Sequence, residues 1–326
     1  MTLSSAAGVP ALQYGASREG AALFAVPERG LLSVTGPQRV KFLHNIVSND
    51  LQSRAPGQGV LLAVMDVKGR LLTLARALVT ADAVLLEMPE DRLARIETLL
   101  AHYRVAAPVR FARPAVAMIG LLGPQALAVL RRAGAELPDG MKAEDHLGAT
   151  VAGAEVRAVR ASDLPAGGWL VHVAPESAGA VREALTAAGA VPLAAETLDV
   201  LRIEDGRPWY GPDIREENLL HETGLVGEYH SPSKGCYVGQ EVVARLEARG
   251  ANVNKVLRGL RLEAPVARGT VLRAEGRDVG VVTTAGVSPR LGAVAMAFVH
   301  RSRAEPGSTI EAGETRGTVA ALPLAG

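Results

Sequence analysis

Two hydrophobic rhythms run along the first 250 residues. Leu31, Leu32 and Val34 form a short apolar run that predicts a strand. Thr35-Gly-Pro-Gln38 follows in the pattern of a capping box, ahead of Val40, Leu43 and Val47 at helical spacing. Gly59 to Met65 and Leu71 to Val79 are apolar runs on either side of Asp66-Val-Lys-Gly69. That tetrapeptide has Asp first and Gly fourth, as a type I turn prefers, and predicts a hairpin. Ala83 to Met88 predicts a further strand, and Pro89-Glu-Asp opens a helix whose face is Leu93, Ile96, Leu99 and Leu100.

The middle repeats the mixture. Strands are predicted at Val116 to Leu122, Val156 to Val159 and Trp169 to Val173. Helices are predicted at Pro124 to Arg132, Glu176 to Ala188 and Ala194 to about Ile203. Beyond Gly250, six short apolar runs separated by Gly, Pro, Arg and Glu predict a small β-barrel or jelly-roll-like unit. Strands and helices come in blocks, not in strict alternation. The expected class is therefore α+β with antiparallel sheets, divided into a region 1–250 and a barrel 251–326.

Composition narrows the function. Lysine plus arginine (35) nearly cancels aspartate plus glutamate (34), which argues against strong direct nucleic-acid binding unless the arginines cluster. The single cysteine, Cys236, excludes an internal disulfide, a four-cysteine zinc site and a self-contained four-cysteine iron–sulfur cluster. No basic start precedes an apolar stretch at the N-terminus. The longest uncharged apolar stretch, 114–130, is interrupted by glycine and proline, so the expectation is a cytoplasmic protein with no membrane span. Phosphate-binding glycine loops and HExxH are absent, and the scattered histidines give no expectation of an intrinsic metal.

Chemistry concentrates between 202 and 245. The chain has only 2 Trp, 5 Tyr and 4 Phe, yet Trp209, Tyr210, Tyr229 and Tyr237 fall close together in a loop-rich segment. Such a cluster suits the face of a flat ligand; the alternative is a satellite core beneath a long loop. Glu204, at a predicted helix end beside Arg202, is suited to accept two parallel hydrogen bonds from a ring N–H and amino pair, or else to pair with an arginine. Lys234-Gly-Cys236-Tyr-Val-Gly-Gln240-Glu241 places a thiol before a predicted helix carrying Glu241, Arg245 and Arg249. A helix N-terminus and the Lys234 ammonium would both favour thiolate; the alternative is a buried, inert cysteine.

KGCYVGQE at 234–241, with Arg245 and Arg249-Gly250, resembles the signature of the YgfZ family, folate-binding relatives of the GcvT aminomethyltransferase T-protein. Leu31-Leu-Ser-Val-Thr-Gly, the Asp66-Val-Lys-Gly69 turn and Leu201-Arg-Ile-Glu-Asp-Gly206 agree with it. The resemblance implies a GcvT/YgfZ-like three-lobed fold around a channel, with the C-terminal barrel as one lobe. It also implies a site for tetrahydrofolate or a one-carbon derivative, with Glu204 carried over as the pterin-edge acceptor and Cys236 matching the family's functional cysteine. On the reading of the residues themselves, Arg202, Trp209, Tyr210, Tyr237, Gln240 and Arg245 are the candidate contacts around the ligand, and Lys234 would favour ionisation of the thiol. The implied partners are iron–sulfur enzymes, including those that thiolate transfer RNA, with transfer RNA itself a further candidate.

Two features separate the branches. Aminomethyltransferases carry an acid after the first hairpin strand, where this chain has Lys68-Gly-Arg-Leu-Leu-Thr73. Trp209-Tyr-Gly-Pro-Asp213-Ile, in contrast, resembles the T-protein. The main expectation is a YgfZ-type factor. The alternatives are a folate-dependent aminomethyltransferase, with Asp66 or Asp205 as its acid or base, and a non-enzymatic scaffold for iron–sulfur delivery.

Overall fold

The computed structural model describes residues 8–26, 28–250 and 252–324. Helix α1 (Ala11–Glu19) leads into strands β1 (Ala22–Ala25) and β2 (Arg29–Thr35), then α2 (Arg39–His44). Next come β3 (Gly59–Met65), β4 (Leu71–Val79), β5 (Ala83–Pro89), α3 (Glu90–Tyr103) and β6 (Arg110–Ala112). The middle contributes β7 (Ala117–Leu122), α4 (Ala126–Arg132), β8 (His146–Val151), β9 (Ala154–Arg160), β10 (Trp169–Val173), α5 (Ala178–Ala187) and β11 (Val191–Pro192). Helices α6 (Ala195–Glu204), α7 (Val226–Tyr229) and α8 (Gln240–Ala248) precede the six barrel strands β12 (Lys255–Leu262) to β17 (Thr315–Ala320).

These elements make three β structures: a five-stranded sheet in the order β3-β4-β5-β2-β6, a six-stranded sheet β11-β1-β7-β10-β9-β8, and a closed six-stranded barrel. The α+β expectation holds. Pairing is antiparallel except where β1 meets β11, a contact two residues long that no local pattern announces. The six barrel strands follow the six apolar runs. The predicted capping box is not formed: α2 starts at Arg39, with Gln38 at its N-cap position and no side-chain cap.

The hairpin forms as the turn chemistry dictates. Gly69 N–H donates to the Asp66 carbonyl at 3.0 Å, and Asp66 Oδ1 accepts the amides of Lys68 at 2.8 Å and Arg70 at 2.9 Å. One face of this sheet is covered by α2 and α3 through Phe42, Leu43, Leu93, Ile96 and Leu100. The other meets the six-stranded sheet, where Leu31 and Leu78 pack among Phe24, Met118, Leu122 and Leu170.

Charge is buried across that same seam. Arg76 on β4, fully buried, pairs with Glu87 at 2.8 Å and with Glu144 and Asp163 from the second sheet's side. Glu87 also takes Arg29 at 3.0 Å and His172 Nε2 at 2.9 Å. Burial works against the Arg76 charge, but the three carboxylates outweigh it and hold its pKa well above the usual value. Burial likewise raises the Glu87 pKa, and Arg76, Arg29 and His172 together carry it far below the carboxylate range.

Two predictions follow from this seam. Arg76→Ala removes the shared partner of three buried carboxylates, of which Glu87 keeps Arg29 and His172, and is expected to cost about 3–5 kcal/mol in urea unfolding. His146 lies nearby, with Nε2 on the Val79 carbonyl at 3.0 Å and Arg157 on Nδ1 at 2.9 Å. Burial, then Arg157, pushes its pKa down from 6.5 to about 4. The unfolded chain therefore takes up a proton that the folded chain refuses, so stability falls as pH drops from about 6.5 to about 4. His146→Gln should flatten that part of the urea-midpoint profile.

Candidate functional site

The residues singled out between 202 and 245 do not converge on one cavity. They divide among three places.

The first is the end of α6, against the barrel. Arg202 is buried and donates to Asp213 at 2.6 Å and Asp199 at 2.7 Å, with its guanidinium 4.6 Å above the Trp209 ring. Asp213 accepts from Thr284 at 2.5 Å, Thr283 at 2.8 Å and the Trp209 amide at 2.9 Å. The Tyr-Gly-Pro-Asp run thus staples α6 to the barrel strand β14 (Arg277–Ser288). Trp209 is half-buried, stacked on Phe24 at 6.5 Å, with its indole Nε1 unpartnered.

Glu204 occupies the same helix end and is fully buried. The Tyr14 hydroxyl donates to both of its oxygens at 3.0 and 2.9 Å, Arg18 donates at 2.5 Å, and Ser288 donates from the barrel. Arg290 stands 3.7 Å away. Neighbouring Asp205 accepts from Arg18 at 3.0 Å and from the Ala166 amide at 2.8 Å. Burial opposes the Arg18 charge, but Asp205 and Glu204 more than offset it and raise its pKa; burial and Glu204 likewise raise the Tyr14 hydroxyl. The helix-end carboxylate has arginine as a partner, yet that arginine comes from α1 and not from Arg202 or Arg207. Tyr14, Arg18 and Ser288 carry no local signal in the sequence, because three distant segments bring them together.

The second place is a core under the long loop. Tyr210, Tyr229 and Tyr237 pack with Leu61, Ala63, Met65, Leu74 and Ile214, so three of the four clustered aromatics serve packing. The Tyr210 hydroxyl donates to the Leu71 carbonyl at 3.1 Å, and burial pushes its pKa up to about 12. The Tyr237 hydroxyl is buried without a partner.

The third is the KGCYVGQE loop. Cys236 is exposed, not buried as the inert alternative required. It borders a cavity of about 660 Å³ walled by Phe42, Ile46, Tyr103 and Val238, with Lys41 on its lining. The Lys234 ammonium has a structural duty. It donates to the carbonyls of His44 and of Val47 (2.5 Å) at the end of α2, and sits 4.9 Å from the Tyr237 ring. Burial lowers its pKa from 10.5 to about 8. Gln240 Oε1 accepts the Tyr237 amide at 3.3 Å, and Arg245 is exposed on α8. The loop interlocks with the predicted hairpin turn. A Cβ on Gly239 would lie 2.7 Å from the Asp66 carbonyl oxygen, and one on Gly69 2.8 Å from the Val242 side chain. Both glycines have positive φ. Asp66 itself is committed to turn amides, and Lys68 is exposed at the tip.

Among the described residues no group of three His, Cys, Asp or Glu is arranged to hold a metal ion, and no helix is long and apolar enough to cross a membrane.

Known proteins resemble this chain over nearly its whole length. The GCVT N-terminal domain matches residues 10–227, and the glycine cleavage T-protein C-terminal barrel domain matches 255–324. The chain belongs to the GCVT family. An aminomethyltransferase of Streptomyces coelicolor is 30% identical over 345 residues of alignment, covering 96% of this chain and 90% of that one. A chloroplastic putative transferase of Arabidopsis thaliana is 27% identical over 299 residues, covering 90% and 69%. The crystal structure of the glycine cleavage system aminomethyltransferase T from Bartonella henselae superposes with a TM-score of 0.84 at 22% identity, over 96% of this chain and 88% of that one. That superposition shows that this GCVT-family chain shares the fold.

Lys234→Met removes two charge-assisted hydrogen bonds from a buried position and is expected to lower unfolding free energy by about 2–3 kcal/mol. Because the ammonium is bound to carbonyls, the same variant should change the rate of Cys236 alkylation less than about threefold at pH 7.5. A tenfold slower labelling would show that Lys234 acts on the sulfur.

Proposed function

We propose that the protein binds tetrahydrofolate and serves one-carbon transfer of the aminomethyltransferase kind. The observation that carries this reading is the likeness to aminomethyltransferases across both domains of the family. In the transfer, a carrier-bound S–CH2–NH2 group gives up its methylene to folate. Ammonia leaves, the carrier sulfur is freed as a thiol, and the two folate N–H protons go to those leaving groups.

The end of α6 fits such a ligand in its chemistry. Glu204 accepts O–H donors from Tyr14 and Ser288 and an N–H donor from Arg18, and the last is the kind of donor an aminopyrimidinone edge presents. Arg202 and Trp209 stand beside it, and Asp205 is the proposed carboxylate for proton handling. Of the two candidates it is the one next to Glu204, whereas Asp66 is spent on its turn.

A second reading has its own support. The stretch Lys68–Thr73 carries no carboxylate, and Cys236 presents a thiol beside a cavity. Both favour a YgfZ-type folate-binding factor that maintains iron–sulfur enzymes. One cysteine supplies one ligand, so any cluster on it would bridge two chains or use an external thiol.

Titration with tetrahydrofolate under reducing conditions, followed by turnover with an aminomethyl-lipoyl carrier, tests both readings. The first expects saturable binding and methylene-tetrahydrofolate formation. Asp205→Asn should reduce that formation at least about tenfold while binding persists. Binding without turnover removes the transferase reading and leaves the second, for which Cys236→Ser should abolish support of an iron–sulfur client. Absence of saturable binding, by the wild type and by a Tyr14→Phe/Arg18→Ala variant that frees Glu204 of both donors alike, overturns both.

A further inference from the structure

The Glu204 carboxylate, assigned above to the folate ring edge, is held by the protein's own N-terminal helix. We propose that α1 is an intramolecular plug: Tyr14 and Arg18 occupy Glu204 as a surrogate for the ligand edge, and folate enters by displacing them. This proposal rests on the folate reading.

The donor pattern supports it. Arg18 is a planar fork of N–H groups, with Nη2 on Glu204 at 2.5 Å and Nη1 on Asp205 at 3.0 Å. An aminopyrimidinone likewise presents a ring N–H beside an amino group. The Tyr14 hydroxyl straddles both Glu204 oxygens, and Ser288 fills a further acceptor site. A carboxylate has about four lone-pair sites, so a two-donor ligand must exchange with existing donors and cannot simply be added.

The helix is built to come away. Only Ser17 of α1 is buried, Leu12 is 73% exposed, and Pro10 provides no side-chain cap. Besides Tyr14 and Arg18, its polar attachment to α6 is Gln13 Oε1, which accepts from the Ala194 amide at 3.0 Å and the Thr197 hydroxyl at 2.9 Å. Arg290, half-exposed and 3.7 Å from Glu204, remains as a counter-ion once Arg18 leaves. A carboxylate stripped of all its partners would be costly to keep buried; this one is not.

The test compares tetrahydrofolate titrations of the wild type and of the Tyr14→Phe/Arg18→Ala double variant, with amide exchange across residues 11–19 of the wild type as a second readout. A plug lowers apparent affinity by the fraction of closed molecules. The double variant should therefore bind about tenfold or more tightly, and saturating folate should speed exchange of α1 amides about tenfold. A wild type that does not bind, beside a variant that does, supports the plug equally. If the wild type binds, the variant binds no more tightly, and folate leaves α1 exchange unchanged or slower, α1 is a wall of the site and the plug is overturned. If neither protein binds, the folate reading itself fails, and the plug with it.

Discussion

A guanidinium taken out of water must bring its counter-charges along, and Arg76 organises the protein on that condition. Its three carboxylates come from β5, from the segment before β8 and from the segment after β9. The pairing can be satisfied only when the five-stranded and six-stranded sheets face each other in one register. The apolar contacts of the seam, Leu31 and Leu78 against Phe24 and Met118, are non-directional and would tolerate sliding. The ionic contacts are directional and do not. The hydrophobic surface supplies the drive to close, and the charges fix where closure stops.

Much of this was legible in the sequence, and the boundary is physical. Elements whose signal lies within a dozen residues were readable: the hairpin about Asp66 and Gly69, the apolar face of α3, and the six barrel strands. Features made by long-range pairing were not. β11 is two residues with no periodicity of its own, and β6 and β8 are held by neighbours. The expected cap at Thr35 is missing because the backbone reaches helical geometry only at Arg39. Arg76 looked like an ordinary polar position in a strand, since its partners lie 11, 68 and 87 residues away.

The site divides in the same way. Clustering of aromatics in sequence suggested one surface, but a loop can send successive rings into different cores. Trp209 joins the sheet seam while Tyr210, one residue later, joins the core over β3 and β4. Lys234 and Cys236, two residues apart, have different surroundings: the ammonium closes a helix end, and the thiol borders a cavity. The sequence did identify Glu204 as an acceptor. What it concealed was the identity of the donors, which come from a helix nearly two hundred residues earlier and a barrel strand more than eighty residues later.

The barrel closes on itself, with β12 paired to both β15 (Gly292–His300) and β17. A closed cylinder leaves no row of unpaired backbone amides at a margin. No visiting chain can extend it by adding a strand. Any macromolecule that recognises the barrel must therefore read its side chains and loops, a mode of recognition that evolution can retune one residue at a time without disturbing the fold beneath.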